Sequence, residues 1–463
     1  MKVGKLIHLK EFLEDAKNGN VDIGEFTAKV FSETKKIQEK FAPFITINDN
    51  IGELKKGRIF PLPISVKDCI CTKGIKTTAG SKILDSYMPP FDATSVSKVK
   101  ENGGFVLGKT AQDEFGFGTF STNCAYSVPK NPYDRERSCG GSSGGAACIT
   151  AAATFPHVAI AESTGGSITA PAAFTGTVGL TPTYGRISRY GLIDYSNSMD
   201  KIGVIGKEVF DAALLFSVIS GYDPLDSTSS KVETKDFTRF IEKDIKGMKV
   251  GIPKEYFEGI DEKIAKNIME RAASLESLGA ELVDISLPLT KFSLPSYYLI
   301  AMSEASTNLA RYSGLRYGLQ ENVSGNFSEY FSDIREKGFG KEAKRRIMLG
   351  TYARAAGFRE AYYIKALKVR QLIINEFKNA FSKVDVLLAP SMPITAPKFS
   401  EIENLTPLQI YNIDKLTTAP NMAGIPTISV PAGTVSGLPV GVQFMANYFD
   451  EEKLISVASA IQK

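Results

Sequence analysis

Tryptophan is absent from this 463-residue sequence, histidine occurs twice and cysteine five times. No apolar run approaches the roughly 18 residues of a membrane-spanning helix. The opening stretch MKVGKLIHLKEFLEDAKNGN is interrupted by charge as an amphipathic helix is, and it has no apolar signal-peptide core, so a cytoplasmic location is expected. The cysteines (Cys69, Cys71, Cys124, Cys139 and Cys148) are odd in number and include no C-x-x-C pair, which suggests neither a disulfide framework nor a zinc site. A thiol nucleophile usually needs a histidine partner, and so does a Ser-His-Asp triad. That partner could only be His8 or His157. His8 falls in the expected N-terminal helix, where a solvated or packed side chain is the ordinary role. His157, in FPHVAIAES, reads as the loop entry to a short buried strand. A histidine-built metal site has still less support, so no metal is expected. Any catalytic base here is expected to be another residue type.

Charge excludes little: 55 basic against 51 acidic residues leave +4, spread along the chain, which does not by itself imply nucleic-acid binding. A hydrophobic fraction of 43% with 23% charged residues is that of a globular protein with a sizeable core. No repeat, low-complexity tract or long linker divides it, and one domain over residues 1–463 is expected. Residues 9–42 have helical spacing, with Asp22 as an N-cap candidate. LPISVKD reads as a buried strand ending at a Lys-Asp pair, ATSVSKVKENG as a helix closed by Gly103, and GFVLGKT as the next strand. Helix and strand alternate again from AALLFSVISG onward, residues 297–380 read as almost purely helical, and DVLLAPSMP, TISVPAG and PVGVQFMA supply later strands before a closing helix. The alternation predicts an α/β fold with helical layers on both faces of the sheet.

The least ordinary stretch runs from Cys139 to Gly191 and contains GGSSGGAA, STGGS and TPTYGR. A flexible linker would not interleave its glycines with AACITAAATF and ITAPAAFTGTVGL, and neither phosphate-loop pattern fits. Glycine clustered within apolar sequence suggests backbone that must approach something closely. A serine that attacks a carbonyl must pass its proton to a base, and with histidine scarce a lysine is the natural candidate. Lysine works as a base only when neutral, which burial favours. Lys67, at the end of PLPISV, is placed to be buried, although a solvated strand end is the ordinary reading of such a lysine taken alone. Successive N–H groups in TGGS beside Ser167 could hold an oxyanion.

LPISVKDCICTKGIKTTAGSKIL, GKTAQDEFGFGTFS, SCGGSSGGAA and STGGSITAPAAFTGTVGLTPTYGRISRYGL together resemble the amidase signature family, in order and across essentially the whole chain. The resemblance implies that family's fold, a large mixed twisted sheet sandwiched between helical layers. It implies Ser167 as acyl-forming nucleophile, Ser142 as relay serine held by a cis peptide, Lys67 as base, and an oxyanion hole from the N–H groups of Thr164, Gly165 and Gly166. The interval from Ser142 to Ser167 is 25 residues, one longer than is usual in the family. The family's common S-D-T-G-G-S-I-R is here Glu162-Ser163-Thr164-Gly165-Gly166-Ser167-Ile168-Thr169, so its Asp and Arg are missing.

Within the family, SYYLIAMSEASTNLARYSGLRYG, EAKRRIMLGTYA and TTAPNMAGIPTISVPAG resemble the A-type components of tRNA-dependent amidotransferases. That resemblance places substrate contacts on Tyr297, Arg346 and Asp414. Arginine suits an α-carboxylate and aspartate an α-ammonium. Read alone, KRR at 344–346 is an ordinary solvated helix face and Asp414 an ordinary loop residue. The resemblance implies a glutaminase that supplies ammonia to a partner. The expected assembly is a heterotrimer with the B and C components of the amidotransferase, serving Glu-tRNA(Gln), Asp-tRNA(Asn) or both. The tRNA is met mainly through the partner, and ATP with Mg²⁺ is expected there and not in this chain. The competing expectation is a stand-alone amidase for a small or hydrophobic amide. A non-catalytic scaffold that kept the fold is the third.

Overall fold

Eleven strands form one mixed sheet in the computed structural model, which describes residues 8–322 and 325–462. They are β1 (Phe44–Ile47), β2 (Pro63–Lys67), β3 (Phe105–Thr110), β4 (Val158–Ser163), β5 (Val178–Thr181), β6 (Lys201–Gly206), β7 (Lys249–Pro253), β8 (Glu281–Ile285), β9 (Val386–Pro390), β10 (Thr427–Val435) and β11 (Leu438–Ala446). Their order is β1-β3-β2-β4-β6-β5-β10-β11-β9-β7-β8. Strand β2 runs parallel to both β3 and β4, whereas β6, β5, β10 and β11 follow antiparallel. The first seven residues, part of the opening stretch read above for signal-peptide character, lie outside the described residues.

The central strands β2 and β4 are buried along their whole length, as near-continuous apolar runs covered on both faces should be. Alternation along β4 sends Val158 and Ile160 into the main core and Ala159 and Ala161 into a second cluster with Ala146, Ala147, Ile168 and Ile205. The register sets Ile64 opposite Val158 and Val66 opposite Ile160, so the C-terminal ends of β2 and β4 lie side by side.

The helices are α1 (Leu9–Lys17), α2 (Ile23–Phe41), α3 (Thr94–Glu101), α4 (Gly144–Ala152), α5 (Thr169–Thr175), α6 (Val209–Ile219), α7 (Glu262–Ser277), α8 (Ser293–Asn308), α9 (Phe327–Gly338), α10 (Lys341–Arg354) and α11 (Lys365–Phe381), with short helices later and a last one over Glu451–Gln462. Asp22 caps α2 by accepting the Glu25 N–H at 2.9 Å. Helix α4, GGAACITAA, is buried almost throughout, its small side chains lying on the alanines of β4. Residues 297–380 are less uniformly helical than the sequence suggests: α8 and α9 are separated by an irregular stretch in which Gly314 and Gly318 take positive φ, which a continuing helix does not accommodate.

Helices α8 and α10 pack so closely that a Cβ at Gly350 would stand 1.9 Å from the Met302 carbonyl oxygen. Gly350→Ala is therefore expected to force the pair apart and to cost roughly 1–3 kcal/mol of stability. Denaturant unfolding measures it, and a change within a few tenths of a kcal/mol would show that the contact relaxes freely.

Candidate active site

Lys67 is the last residue of β2, and alternation puts it on the same side of the strand as Ser65, toward α4. Its side chain is wholly buried. Nζ lies 2.7 Å from Ser142 Oγ, 2.8 Å from Glu162 Oε2 and 2.9 Å from the Glu162 carbonyl oxygen. Ser142 stands two residues before α4, and the Gly141–Ser142 peptide is cis. Its carbonyl accepts the Asp113 N–H at 3.2 Å, and the next residue, Ser143, donates its N–H to the Ser167 carbonyl at 3.2 Å. The loops carrying the two serines are thus stitched together beside the lysine.

Ser167 sits in the turn between β4 and α5, 7% exposed, and its hydroxyl makes no hydrogen bond among the described residues. Of the three N–H groups expected to hold an oxyanion, that of Gly166 donates to Ser163 Oγ at 3.2 Å, which leaves those of Thr164 and Gly165. Ser163, standing where the family's Asp would be, thereby holds the Gly166 N–H of this loop. It also donates to Asn421 Oδ1 at 3.4 Å, and Asn421 in turn donates to the Thr417 carbonyl at 2.9 Å. Thr169, in place of the family's Arg, is buried at the start of α5.

Behind Glu162 lies a second carboxyl. Thr164 Oγ1 is 2.8 Å from Glu162 Oε1 and 2.8 Å from Asp200 Oδ1. Asp200 accepts the N–H groups of Tyr195 and Ser196 at 2.9 Å, and burial, followed by the nearby charge of Glu162, holds its carboxyl well above the usual range.

The residues expected to contact substrate come from three separate elements. The Tyr297 ring on α8 lies against Gly165, where a Cβ would be 2.5 Å from Cζ and 2.6 Å from the hydroxyl oxygen. Only glycine allows that approach. Arg346 belongs to the buried stripe Ala343–Arg346–Gly350–Ala353 of α10, while its neighbour Arg345 stays partly exposed. The guanidinium is enclosed by the rings of Phe117, Tyr195, Tyr298 and Tyr411, at 5.2, 5.6, 5.2 and 5.3 Å. Nε donates to Glu342 Oε1 at 2.8 Å and Nη1 to the Tyr195 hydroxyl at 2.6 Å. Nη2 has no hydrogen bond among the described residues. Asp414 Oδ2 accepts from the hydroxyls of Tyr298 at 2.8 Å and Thr119 at 3.0 Å. Tyr298 therefore touches both charges: it stands under the guanidinium and donates to the carboxylate. Burial pushes the Asp414 carboxyl up to about 7, against the pull of those hydroxyls and of Arg346.

Sequence reasoning did not single out Glu162 as a partner of Lys67, nor Asp200, Tyr195, Tyr298 or Glu342. The one signal for Glu162 was an acidic residue inside the otherwise apolar VAIAES. The histidines stand apart. His8 precedes α1, and its Nδ1 lies 3.1 Å from Glu208 Oε1. His157 is buried, with Nε2 3.0 Å from Ser65 Oγ and Nδ1 3.3 Å from Thr150 Oγ1, and burial lowers it to about 3. A neutral imidazole between two hydroxyls suits a structural role.

A family model described as Amidase matches residues 11–455. The chain is 45% identical to the A subunit of the glutamyl-tRNA(Gln) amidotransferase of Persephonella marina, over 98% of this chain and 96% of that protein. With the protein of the same description from Carboxydothermus hydrogenoformans the identity is 47% over the same shares. Among solved structures, the A subunit of the Thermotoga maritima glutamyl-tRNA(Gln) amidotransferase superposes with a TM-score of 0.82 at 39% identity, covering 95% of this chain and 91% of that one. A peptide amidase from Stenotrophomonas maltophilia reaches 0.79 at 27% identity, with 97% and 95% covered.

Proposed function

The chain belongs to the Amidase family, and from that premise we propose that it is the A-type component of a glutamyl-tRNA(Gln) amidotransferase, the one that hydrolyses glutamine and delivers ammonia. The observation that carries glutamine as the substrate is the pair Arg346 and Asp414, opposite charges joined through Tyr298, whose neighbour Tyr297 lies against Gly165 of the turn that carries Ser167. A free amino acid presents a carboxylate to the first and an ammonium to the second, which directs its side-chain amide at the serine.

In the proposed reaction Ser167 Oγ attacks the carboxamide carbon as its proton passes to Ser142, and the Ser142 proton passes to neutral Lys67. The oxyanion is held by the N–H groups of Thr164 and Gly165, and by that of Gly166 if Ser163 yields it. Collapse breaks the C–N bond, the proton returns through Ser142 to the leaving nitrogen, and ammonia departs. Water then hydrolyses the glutamyl-Ser167 ester. Ammonia released into water would be lost, so a partner with a protected path is required. That role is assigned to the larger B component, which would activate the tRNA-borne carboxylate with ATP and Mg²⁺, and the small C component would hold the pair in a heterotrimer. Contact with tRNA is assigned mainly to the B component.

The test is ammonia release by the purified chain, alone and with the B and C components, from glutamine and from aryl and alkyl amides. Glutamine turnover that rises with the partners is expected. Fast turnover of simple amides with no response to glutamine or partners would make this a stand-alone amidase.

Only the ionised Asp414 pairs with an ammonium. Its carboxyl stands at about 7 in the free protein, so glutamine affinity is expected to weaken as pH falls through that value, by up to about tenfold per unit below it. The dependence appears in KM rather than kcat and disappears in Asp414→Asn. A KM that stays flat on the acidic side would remove Asp414 from the ammonium site.

A further inference from the structure

We infer that Glu162 is a positioning residue for the Lys67 base: its carboxylate holds the ammonium that Lys67 becomes during acyl transfer, and Thr164 and Asp200 fix that carboxylate from behind. The inference rests on the assignment of Ser167, Ser142 and Lys67 proposed above.

The first support is a count of protons around Nζ. Its three neighbours are Ser142 Oγ, Glu162 Oε2 and the Glu162 carbonyl oxygen. A neutral amine can donate to the two Glu162 oxygens while its lone pair receives the Ser142 O–H. An ammonium can donate to all three. The same heavy-atom positions therefore satisfy Lys67 before and after it takes the proton, with only the Ser142 hydrogen reversing direction. Charge develops where an anion already stands, so the site needs no rearrangement at the moment of reaction.

The second support is a count around Thr164. Its hydroxyl has one proton but lies 2.8 Å from an oxygen of each of two carboxyls. It can donate to only one of them, so the other must donate to it. Asp200 is the one that keeps a proton: it is fully buried and makes no ion pair among the described residues, and burial outweighs the pull of the Ser196 N–H, whereas Glu162 faces Lys67 Nζ at 2.8 Å. Asp200 then donates to Thr164, Thr164 donates to Glu162, and the single negative charge of the two carboxyls rests on Glu162, facing Lys67. Among the described residues, the other ionisable groups that interact electrostatically with this cluster are Asp113 and Cys69, through Lys67, and Asp194, Tyr184 and Tyr195, through Asp200. Asp113 accepts the N–H groups of Ser121 and Asn123 at 2.9 Å, and burial pushes the Cys69 thiol well up, so neither competes for the lysine proton.

Protons balance within the acylation step. As the Ser167 C–O bond forms, Ser142 takes the Ser167 proton and gives its own to Lys67, where Glu162 holds it until C–N cleavage, when a proton returns through Ser142 to the departing nitrogen. Glu162 itself is neither protonated nor consumed.

The experiment is the pH dependence of kcat and KM for glutamine hydrolysis by the wild type, Glu162→Gln and Glu162→Ser, with the partner proteins present where turnover needs them. Removing the anion destabilises the ammonium in the resting protein and in the transition state alike. The acid limb is therefore expected to move down by at least about one pH unit, while the alkaline plateau of kcat falls about tenfold or more and KM stays within about twofold. A merely structural carboxylate would lower kcat or raise KM without moving the limb. Should Glu162→Gln fail to fold, Glu162→Ser carries the same expectation, because the small side chain leaves room for water. An unmoved acid limb in the folded variant overturns the inference. Ser167→Ala measured alongside separates the two readings: retained ammonia release would remove the nucleophile assignment, whereas its loss with an unmoved limb removes only the role of Glu162.

Discussion

Ser167→Ala is expected to cut ammonia release from glutamine by on the order of 10³-fold or more while leaving the fold unchanged. The serine side chain is engaged by nothing else: its hydroxyl has no hydrogen bond among the described residues, and the link between the two serine loops runs through its backbone carbonyl to Ser143 N–H. Alanine keeps that backbone, so the loss is chemical and not structural. Glutamine affinity should survive, because the groups proposed to bind it, Tyr297, Arg346 and Asp414, are untouched. Adding Lys67→Met to Ser167→Ala should cost little further activity, since a base without a nucleophile has nothing to deprotonate. It should cost stability, however, because the buried Glu162 carboxylate then loses the hydrogen bond from Lys67 Nζ. Steady-state ammonia release and thermal unfolding of the single and double variants measure both effects. Activity within about tenfold of wild type in Ser167→Ala would mean that another group attacks the amide.

Arg346→Ala is expected to have the largest effect on binding, raising the KM for glutamine by about a hundredfold or more, the consequence of leaving a buried carboxylate ligand unpaired. It should also lower stability by about 3 kcal/mol, the lower end for breaking a buried ion pair. The lower end applies because Glu342 retains Arg345 and the Tyr411 hydroxyl as partners. Arg346→Lys should not restore binding. A single ammonium cannot reach Glu342, Tyr195 and a ligand carboxylate together, nor can it stack as a plane among the four rings. Amides without an α-carboxylate should be hydrolysed by the Arg346 variants as fast as by the wild type. Equal loss toward both kinds of amide would show that Arg346 supports the fold around Ser167 and not the ligand.

Several features are readable in the sequence alone. Strands β2, β3 and β4 coincide with PISVK, FVLGKT and VAIAES, because fully buried strands leave near-continuous apolar runs in the sequence. The glycine-rich interval is recognisable as packed backbone, and Gly165 against the Tyr297 ring is one place where that packing leaves no room for a side chain. Arg346 is harder. Three consecutive cations look alike in sequence, and only the helical phase set by Ala343, Gly350 and Ala353 turns the last of them inward. The irregular stretch between α8 and α9 escapes a reading by periodicity because its residues alternate polar and apolar types at spacings compatible with a helix.

By itself the sequence determined the chemistry that was possible. With two histidines, one of them beside a helix start and the other ahead of a buried strand, a lysine was the base left to consider, and the order of the glycine-serine motifs identified the family. The first of those conclusions follows from residue type and position in single elements, and the second from the resemblance of the motifs to the amidase signature family. Only the tertiary structure decided the partners. Lys67 and Glu162 are 95 residues apart yet within 2.8 Å, Thr119 and Asp414 295 apart yet within 3.0 Å. Periodicity reports whether a side chain is buried, but the charge it meets there is set by which strand ends and helices the topology brings together.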